Sequence, residues 1–591
     1  MRSITNAEIA EILYEIAQYL EMQDIPFKPR AYEKVAGTIE GLEEEVTEIY
    51  KKGGLKALEE IPGVGRGIAE RVEEFLKTGH IKDYEKLQKA VPVDLKSFRG
   101  IEGVGPKSIK KLYQKLKVRT LADLEKAAQA GKIAKIEGFG KKSEENILKG
   151  IEFVKKSGGR FVLGFAMPEV RAIEEHLRAQ KGVEKLVVAG STRRRKETIG
   201  DVDILIAVGG RPATAKAMAG KIMDYFVSMP GVVRVYAHGA TKSAIKVKSG
   251  MDVDLRVVPK ESFGAAMNYF TGSKAHNIAL RTIAIKKGYK LNEYGLWKGK
   301  KQIAGENEEG LYKALGMDYI EPEMRENTGE IDAALRQAQG KSPGPPKLIG
   351  YDDLAGDLQV QTDWTDGSDS IEVMANAAIK QGLKYIAVTD HTKRLAMTHG
   401  LDEKRILKQM AEIDRINHKS QITNHKFKIL KGTECDILKD GSMDLPDSVL
   451  SKLDVVGASV HSLFNLSREE QTKRIKRAME NPHVDIIFHP TGRIINRREA
   501  YDVDMDELIK TAKKTGTVME IDAYPDRLDL KDEYIRKCVE AGVKMSIDSD
   551  AHSPTHFQYL EYGIAQARRG WAEKKNIVNT RPVGEMLKLL K

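Results

Sequence analysis

The sequence predicts a multidomain chain: α-helical N-terminal domains with helix-hairpin-helix motifs, an α+β middle domain, and an α/β barrel-like domain at the C-terminus. Three observations predict it. An Ile-x-Gly-x-Gly element, followed each time by a helical pattern, recurs within the first 150 residues. A β-rich middle stretch carries closely spaced aspartates, and beyond a proline-rich break short apolar runs alternate with helical patterns. At 591 residues the chain exceeds what one core can hold.

Composition narrows the function classes. No apolar run reaches the ~18 residues of a membrane span, and the start, MRSITNAEIAEIL, lacks the apolar core of a signal peptide. A cytoplasmic location with no membrane partner is expected. The only cysteines, Cys435 and Cys538, exclude a disulfide framework and a thiolate zinc finger. The net charge of +11 divides into +13 for residues 1–350 and −2 for residues 351–591. The first part is therefore expected to bind a polyanion, and the second to do something else.

Residues 1–60 read as amphipathic helices with breaks at Pro26, Pro29 and Gly53-Gly54. The repeat then appears as IPGVG (Ile61–Gly65), IEGVG (Ile101–Gly105) and IEGFG (Ile136–Gly140). Each copy precedes a helical run: RGIAERVEEFL, PKSIKKLYQKL and KKSEENILKGI. Glycines at Gly63, Gly65, Gly103, Gly105, Gly138 and Gly140 let backbone N–H groups approach a phosphate at a helix N-terminus. Such contacts hold the nucleic-acid backbone without reading bases. A single GxG would pass for a helix C-cap; three copies at one internal spacing do not.

The stretch GSTRRRKETIGDVDILI, Gly190 to Ile206, carries the first catalytic signal. Ile199 to Val208 reads as a strand on which Asp201 and Asp203, two apart, share a face. Two such carboxylates suit a pair of divalent cations ~3.5–4 Å apart. Gly190-Ser191 reads as a turn, and Arg193, Arg194, Arg195 and Lys196 follow as cations for a polyphosphate. A bare DxD favours a solvated acidic strand end; its position behind the GS turn reverses that and points to nucleotidyl transfer. In MDVDLRVVP, Met251–Pro259, Asp254 is the natural third carboxylate, with Asp252 a rival on the same face. In NYFTGSKAHNIALR, Asn268–Arg281, Tyr269 and Phe270 read as aromatics at a turn where a sugar is sensed. Asn277 and Arg281 fall four apart on one helix face.

With the repeats, the GS…DxD strand, the VDLR strand and the YFTGS turn in this order, residues 1 to about 320 resemble the family X DNA polymerases, the group of DNA polymerase beta. The resemblance implies that Asp201, Asp203 and Asp254 hold two Mg²⁺ ions. Gly190, Ser191, Arg194, Gly272 and Asn277 would bind the nucleotide, with Ser191 and Arg194 on its triphosphate, and Tyr269 and Phe270 would gate against ribonucleotides. Asn277 and Arg281 would read the minor groove, and Lys28, Arg256 and the hairpin glycines would hold DNA. A primer 3′-hydroxyl would then attack the α-phosphate of a dNTP on gapped or primed DNA, with the chain acting as a monomer. One position departs from the family: Arg71 stands where beta-like enzymes carry a Schiff-base lysine, and a guanidinium cannot serve as that amine. The implied layout is 1–85 as gap-binding helices with the first hairpin, and 86–155 as a helical domain with two more. A nucleotidyltransferase palm follows at 156–260, and a nucleotide-selection subdomain at 261–320.

Residues 321–347, ending in GKSPGPPK, read as a linker. From residue 348 to 591, runs such as LKYIAVTD, LDVVGASVH and VKMSIDSDAH alternate with helical patterns. Asp390-His391, Glu434, His461, His489, Asp550 and His552 all fall at strand C-terminal ends, where barrels build their sites. His and carboxylate mixtures suit Zn²⁺, Mn²⁺ or Fe²⁺. This part resembles the PHP phosphoesterase domain. The likeness implies one metal on Glu434, His461 and His489, a further ion on Asp366, His391 and His552, and Asp550 at a remaining site. Mn²⁺ or Zn²⁺ is the implied metal, and 3′–5′ exonuclease or end processing the implied activity. In the family's HxH position the chain has Gln359 and Gln361, weaker ligands than imidazole. Two alternatives stay open: a template-independent or ribonucleotide nucleotidyltransferase, and a polymerase whose PHP domain is structural.

Overall fold

The computed structural model describes residues 1–591 apart from 1–3, 5, 41, 43, 44, 99, 100, 102, 103, 157, 158, 210, 211, 339, 341–343, 420, 421 and 423–425. The chain opens with helices Asn6–Met22, Lys28–Glu40, Val46–Glu59 and Arg66–Thr78 around Leu13, Val35, Ile39, Leu58 and Val72. Pro29, expected to break a helix, instead lies in the first turn of Lys28–Glu40, where a missing N–H loses no bond. A second helical core gathers Leu112, Leu124, Ile133 and Ile147, and takes Tyr19 and Met22 from the first helix. The two helical units therefore share an element.

The middle domain is a five-stranded sheet: β1 (Val183–Val188), β2 (Asp201–Val208), β3 (Val232–His238), β4 (Lys242–Val247) and β5 (Asp252–Val258), in the order β1-β2-β5-β4-β3. The strand expected from Ile199 starts at Asp201; Thr198–Ile199 pairs with Phe161–Val162 instead. Strands β2 and β5 run parallel, with Asp201 opposite Asp252 and Asp203 opposite Asp254. Alternation sends Val202, Ile204, Val253 and Leu255 into the core and leaves the aspartates on the other face. Further along that face Leu205 and Ala207 are covered by Phe263 and Ala266, so only the aspartate end stays open.

Helix Lys274–Lys286 and a small antiparallel sheet, β6 (Lys290–Asn292), β7 (Gly295–Lys298) and β8 (Lys301–Ala304), form the next unit. Its core extends into the expected linker. Pro322–Met324 forms a 3₁₀ turn, and Glu330–Ala338 forms a helix whose Ile331 and Ala334 pack with Leu280, Leu296 and Met324. The linker reading of 321–347 is thus corrected over its first half: two apolar residues at i, i+3 suffice for one small buried face. Pro343 lies outside the described residues.

The C-terminal domain is a seven-stranded parallel sheet in sequence order: β9 (Gly356–Val360), β10 (Tyr385–Val388), β11 (Lys428–Asp436), β12 (Val455–Ser459), β13 (Ile486–Ile487), β14 (Val518–Asp522) and β15 (Met545–Asp548). A bridge from Val360 to Ala551, beyond the last strand, brings the two edges together into a nearly closed barrel. It docks on the rest of the chain: Leu528 and Tyr562 enter the middle-domain core, and Trp571 enters the core of the preceding unit.

Candidate active sites

In the middle domain, register fixes the acidic group. Asp203 and Asp254 stand side by side on adjacent parallel strands, and Asp201 is one pleat along. Burial pushes the Asp203 carboxyl up to about 6, and repulsion from Asp201 and Asp254 adds to it. Three carboxylates held this close repel one another, and Arg256 and Lys242 offset the repulsion only in part, which fits a divalent metal site. Asp252, the rival, is paired with Lys246 at 2.8 Å, while Lys242 stands 3.3 Å from Asp254.

The loop above is pressed onto this group. Gly190 takes φ +63°, and a Cβ there would stand 2.8 Å from Asp203 Oδ2. Gly190–Arg193 forms one helical turn rather than an open turn, with Arg193 N–H donating to the Ala189 carbonyl. Ser191, Arg194 and Lys196 line one cleft together with Asp201, Asp203, Tyr269, Phe270, Gly272, Asn277 and Arg281, and Arg194 Nη1 donates to the Thr271 carbonyl. Tyr269 and Phe270 are in the last helical turn of Phe263–Thr271, not at a turn; Gly272, φ +71°, ends that helix. Asn277 Nδ2 donates to the Tyr269 carbonyl (2.7 Å). Arg256 packs its guanidinium 4.5 Å from the Phe270 ring centre, so it supports that aromatic directly.

The hairpin glycines divide into two geometries. Gly63 and Gly138 take φ +81° and +89°, while Gly65 and Gly105 are N-cap residues with no side-chain cap. Gly140 directly precedes Lys141–Lys156; Gly103 lies outside the described residues. Among the described residues, Gly65 and Gly105 lend the first-turn N–H groups no side-chain cap, as a phosphate grip requires. Lys28 is exposed beside Phe27, which is 89% exposed. Arg71 donates to the Gly67 carbonyl (2.6 Å) and to Asp83 (2.8 Å).

In the barrel, Glu434 on β11 is the hub. Its Oε1 meets His489 Nε2 at 2.8 Å, His461 Nε2 at 3.0 Å and the Ser459 hydroxyl at 2.7 Å. Its Oε2 accepts from Gln361 Nε2 (2.9 Å) and stands 3.4 Å from His391 Nδ1. Burial works to raise this carboxyl, and His391 and His461 outweigh it, holding it well below the usual range. Among the described residues, two groups have ligand atoms close enough for an ion: Asp366, His391 and His552, and His391, Glu434 and His461. His391 therefore belongs to both. Asp390 turns away and accepts from Thr362 and Gln409. Both carboxamide atoms of Gln359, Nδ1 of His489 and Oδ1 of Asp550 are buried without hydrogen-bond partners. Of these, the Gln359 carboxamide oxygen, the His489 ring nitrogen and the Asp550 carboxylate oxygen offer lone pairs that fit a metal centre, while the Gln359 amide nitrogen does not.

Comparisons with known proteins cover nearly the whole chain. Residues 4–81 match the helix-hairpin-helix domain, 93–152 the SAM-like helix-hairpin-helix tandem, 266–326 the DNA polymerase beta thumb, and 357–579 the PHP domain. The DNA polymerase/3′-5′ exonuclease PolX of Bacillus subtilis (strain 168) is 37% identical over 591 residues, covering 99% of both chains. The chain belongs to the PHP-bearing family X DNA polymerases. The barrel alone also resembles a probable phosphatase of Thermoanaerobacter sp. (strain X514), 32% identical over 37% of this chain and 86% of that protein. A probable phosphatase of Caldanaerobacter subterraneus subsp. tengcongensis is 32% identical over 30% and 68%. Among the described residues no helix of this family X polymerase is long and apolar enough to cross a membrane.

Several residues of the two sites carry no motif. Arg527, in YPDRLDL, places Nε 3.4 Å from Asp522 and 3.6 Å from Asp550, a fixed cation inside the barrel site. Arg193 donates to Thr271 (2.8 Å) and to Glu308 (2.7 Å), which is also held by the buried Arg325. Burial would raise the Glu308 carboxyl, but Arg325 and Arg193 bring it down to about 2. A lone basic residue after a strand was the only sequence signal for Arg527. For Glu308, the N-terminal turn of an ordinary surface-looking helix gave none.

Proposed function

We propose that this polymerase fills short gaps in DNA by template-directed addition of dNTPs, and that its barrel trims 3′ ends as a 3′–5′ exonuclease. The observation that carries the first part is the pairing of Asp203 with Asp254 under a loop of Ser191, Arg194 and Lys196. Mg²⁺ held by Asp201, Asp203 and Asp254 would supply Lewis-acid stabilisation of the primer oxyanion and the departing pyrophosphate. The chain's own groups bind and orient. Ser191 and Arg194 hold the triphosphate, Tyr269 and Phe270 flank the sugar, and Asn277 and Arg281 contact the minor-groove side of the new pair. The hairpins and Lys28 grip the DNA backbone on either side of the gap. In the barrel, Mn²⁺ or Zn²⁺ held by Asp366, His391, Glu434, His461, His489, Asp550 and His552 would supply an activated water. This reading places the chain in the cytoplasm as a monomer on gapped or primed DNA.

One observation favours a second reading of the barrel, a structural domain. Gln361 donates to Glu434, so its amide competes with a metal for the hub carboxylate. One experiment separates these readings. Gapped DNA labelled at either end is incubated with wild type and His461→Ala, with Mg²⁺ and dNTPs or rNTPs, then with Mn²⁺ alone. Template-matched dNTP addition supports the polymerase reading; equal use of rNTPs, or extension without template, overturns it. Shortening from the 3′ end that His461→Ala abolishes supports the nuclease. No shortening with any divalent metal leaves the barrel structural.

A further inference from the structure

The barrel reaches the back of the loop that faces the nucleotide. Arg569, the last residue of helix Leu560–Arg569, donates to the main-chain carbonyl of Arg194 (3.0 Å) and approaches Glu326 Oε1 at 3.3 Å. The same Glu326 oxygen accepts from Arg194 Nε at 3.0 Å, and Lys196 Nζ stands 3.9 Å away. One carboxylate thus serves three cations. Two of them, Arg194 and Lys196, line the cleft. The third does not: Arg569 has a side chain only 3% exposed, and its other nitrogen is held by Asp532.

A triphosphate entering the cleft competes with Glu326 for Arg194 and Lys196. When those cations turn to the phosphates, Glu326, whose side chain is 22% exposed, loses its nearest partners. A largely buried carboxylate stripped of its cation is strongly unfavourable. Arg569 cannot follow the phosphates, because Asp532 and the Arg194 carbonyl fix it from two sides.

We propose that Arg569 is a positioning residue for nucleotide binding: it keeps Glu326 neutralised while Arg194 turns from that carboxylate to the triphosphate, and it holds the Arg194 backbone still as the side chain moves. The PHP barrel thereby contributes a residue to the polymerase reaction. This inference rests on the gap-filling reading.

Single-nucleotide addition to gapped DNA by the full-length chain tests it, with kcat and KM for the dNTP measured separately. Arg569→Met is expected to raise KM at least ~tenfold, which corresponds to about 1.4 kcal/mol, with kcat and gapped-DNA affinity changed little. Arg569→Lys, which keeps the charge, is expected to recover most of the loss. Glu326→Gln removes the competing anion, so it should leave KM equal to or below wild type. Combined with Arg569→Met, it should restore KM to within ~threefold of wild type. An unchanged KM in Arg569→Met, or no rescue in the double variant, overturns the inference. If Arg569→Met does not fold, Glu326→Gln still decides, because a ~tenfold rise in its KM overturns the inference too. No addition by the wild-type chain would instead sink the gap-filling reading itself.

Discussion

The two acidic centres of this chain solve opposite problems. In the palm, three carboxylates stand at the open end of a sheet, Asp201 exposed and Asp203 and Asp254 half-buried, beside Lys242 and a basic loop. In the barrel, Glu434 and His489 are buried at 1% and 2% exposure, and four of the seven expected ligands are imidazoles. Carboxylate oxygens near solvent suit hard ions that keep waters and arrive with a phosphate ligand. Buried imidazoles, oriented in advance by a shared carboxylate, suit ions that remain. On the proposed function, one chain would carry a centre suited to exchange with each substrate and another suited to retention.

The largest effect should come from the palm. Asp254→Ala removes one of three carboxylates, and nucleotide addition is expected to fall on the order of a thousandfold, a few kcal/mol of lost transition-state stabilisation. Any 3′ trimming by the barrel should persist, and a parallel loss of both activities would show that the centres are not separate.

A second contrast concerns support: the palm loop rests on buried charge. Glu308 has a folded pKa of about 2 against an ordinary 4.5. A depressed carboxyl contributes stability that is fully present above its unfolded value and is lost as pH falls through the folded one. Glu308→Gln is therefore expected to destabilise the chain by about 3 kcal/mol at neutral pH. The difference should narrow as pH drops from about 4.5 towards 2. Urea unfolding of both proteins from pH 7 downward checks this; a gap that stays constant into acid would assign the loss to packing.

The smallest effect sharpens the retention side. Gln359→His with Gln361→His returns imidazoles to β9, and is expected to raise barrel metal affinity ~tenfold and the retained content by about one ion per chain. Elemental analysis after gel filtration measures this. Unchanged content would mean that Arg527, between Asp522 and Asp550, already supplies the positive charge of that position.

What was legible in the sequence was local. Alternation along β2 put Asp201 and Asp203 on one face, and strand-end position singled out Glu434, His461 and His489. The parallel register that sets Asp203 against Asp254 joins residues far apart in the chain, and only the motif order hinted at it. Pairings such as Arg193 with Glu308 and Arg569 with Glu326 left no periodic trace, because each partner looks like an ordinary surface charge in its own segment. The same cause hid the fold of residues 321–338. Its packing rests as much on the His276–Glu330 hydrogen bond and the Arg325–Glu308 ion pair as on Ile331 and Ala334, so an apolar count read it as a linker.

The uncapped hairpin ends carry a consequence for how this polymerase meets the cell's ions. A grip made by backbone N–H groups at Gly65 and Gly105 neutralises no phosphate with a full charge, so it displaces few of the counterions condensed on DNA. Attachment through these hairpins should then fade less steeply with salt than a +13 N-terminal part would otherwise imply. Binding of gapped DNA measured from low to high salt checks this: a shallow slope is expected, and a slope as steep as the +13 charge implies would assign the grip to lysine and arginine.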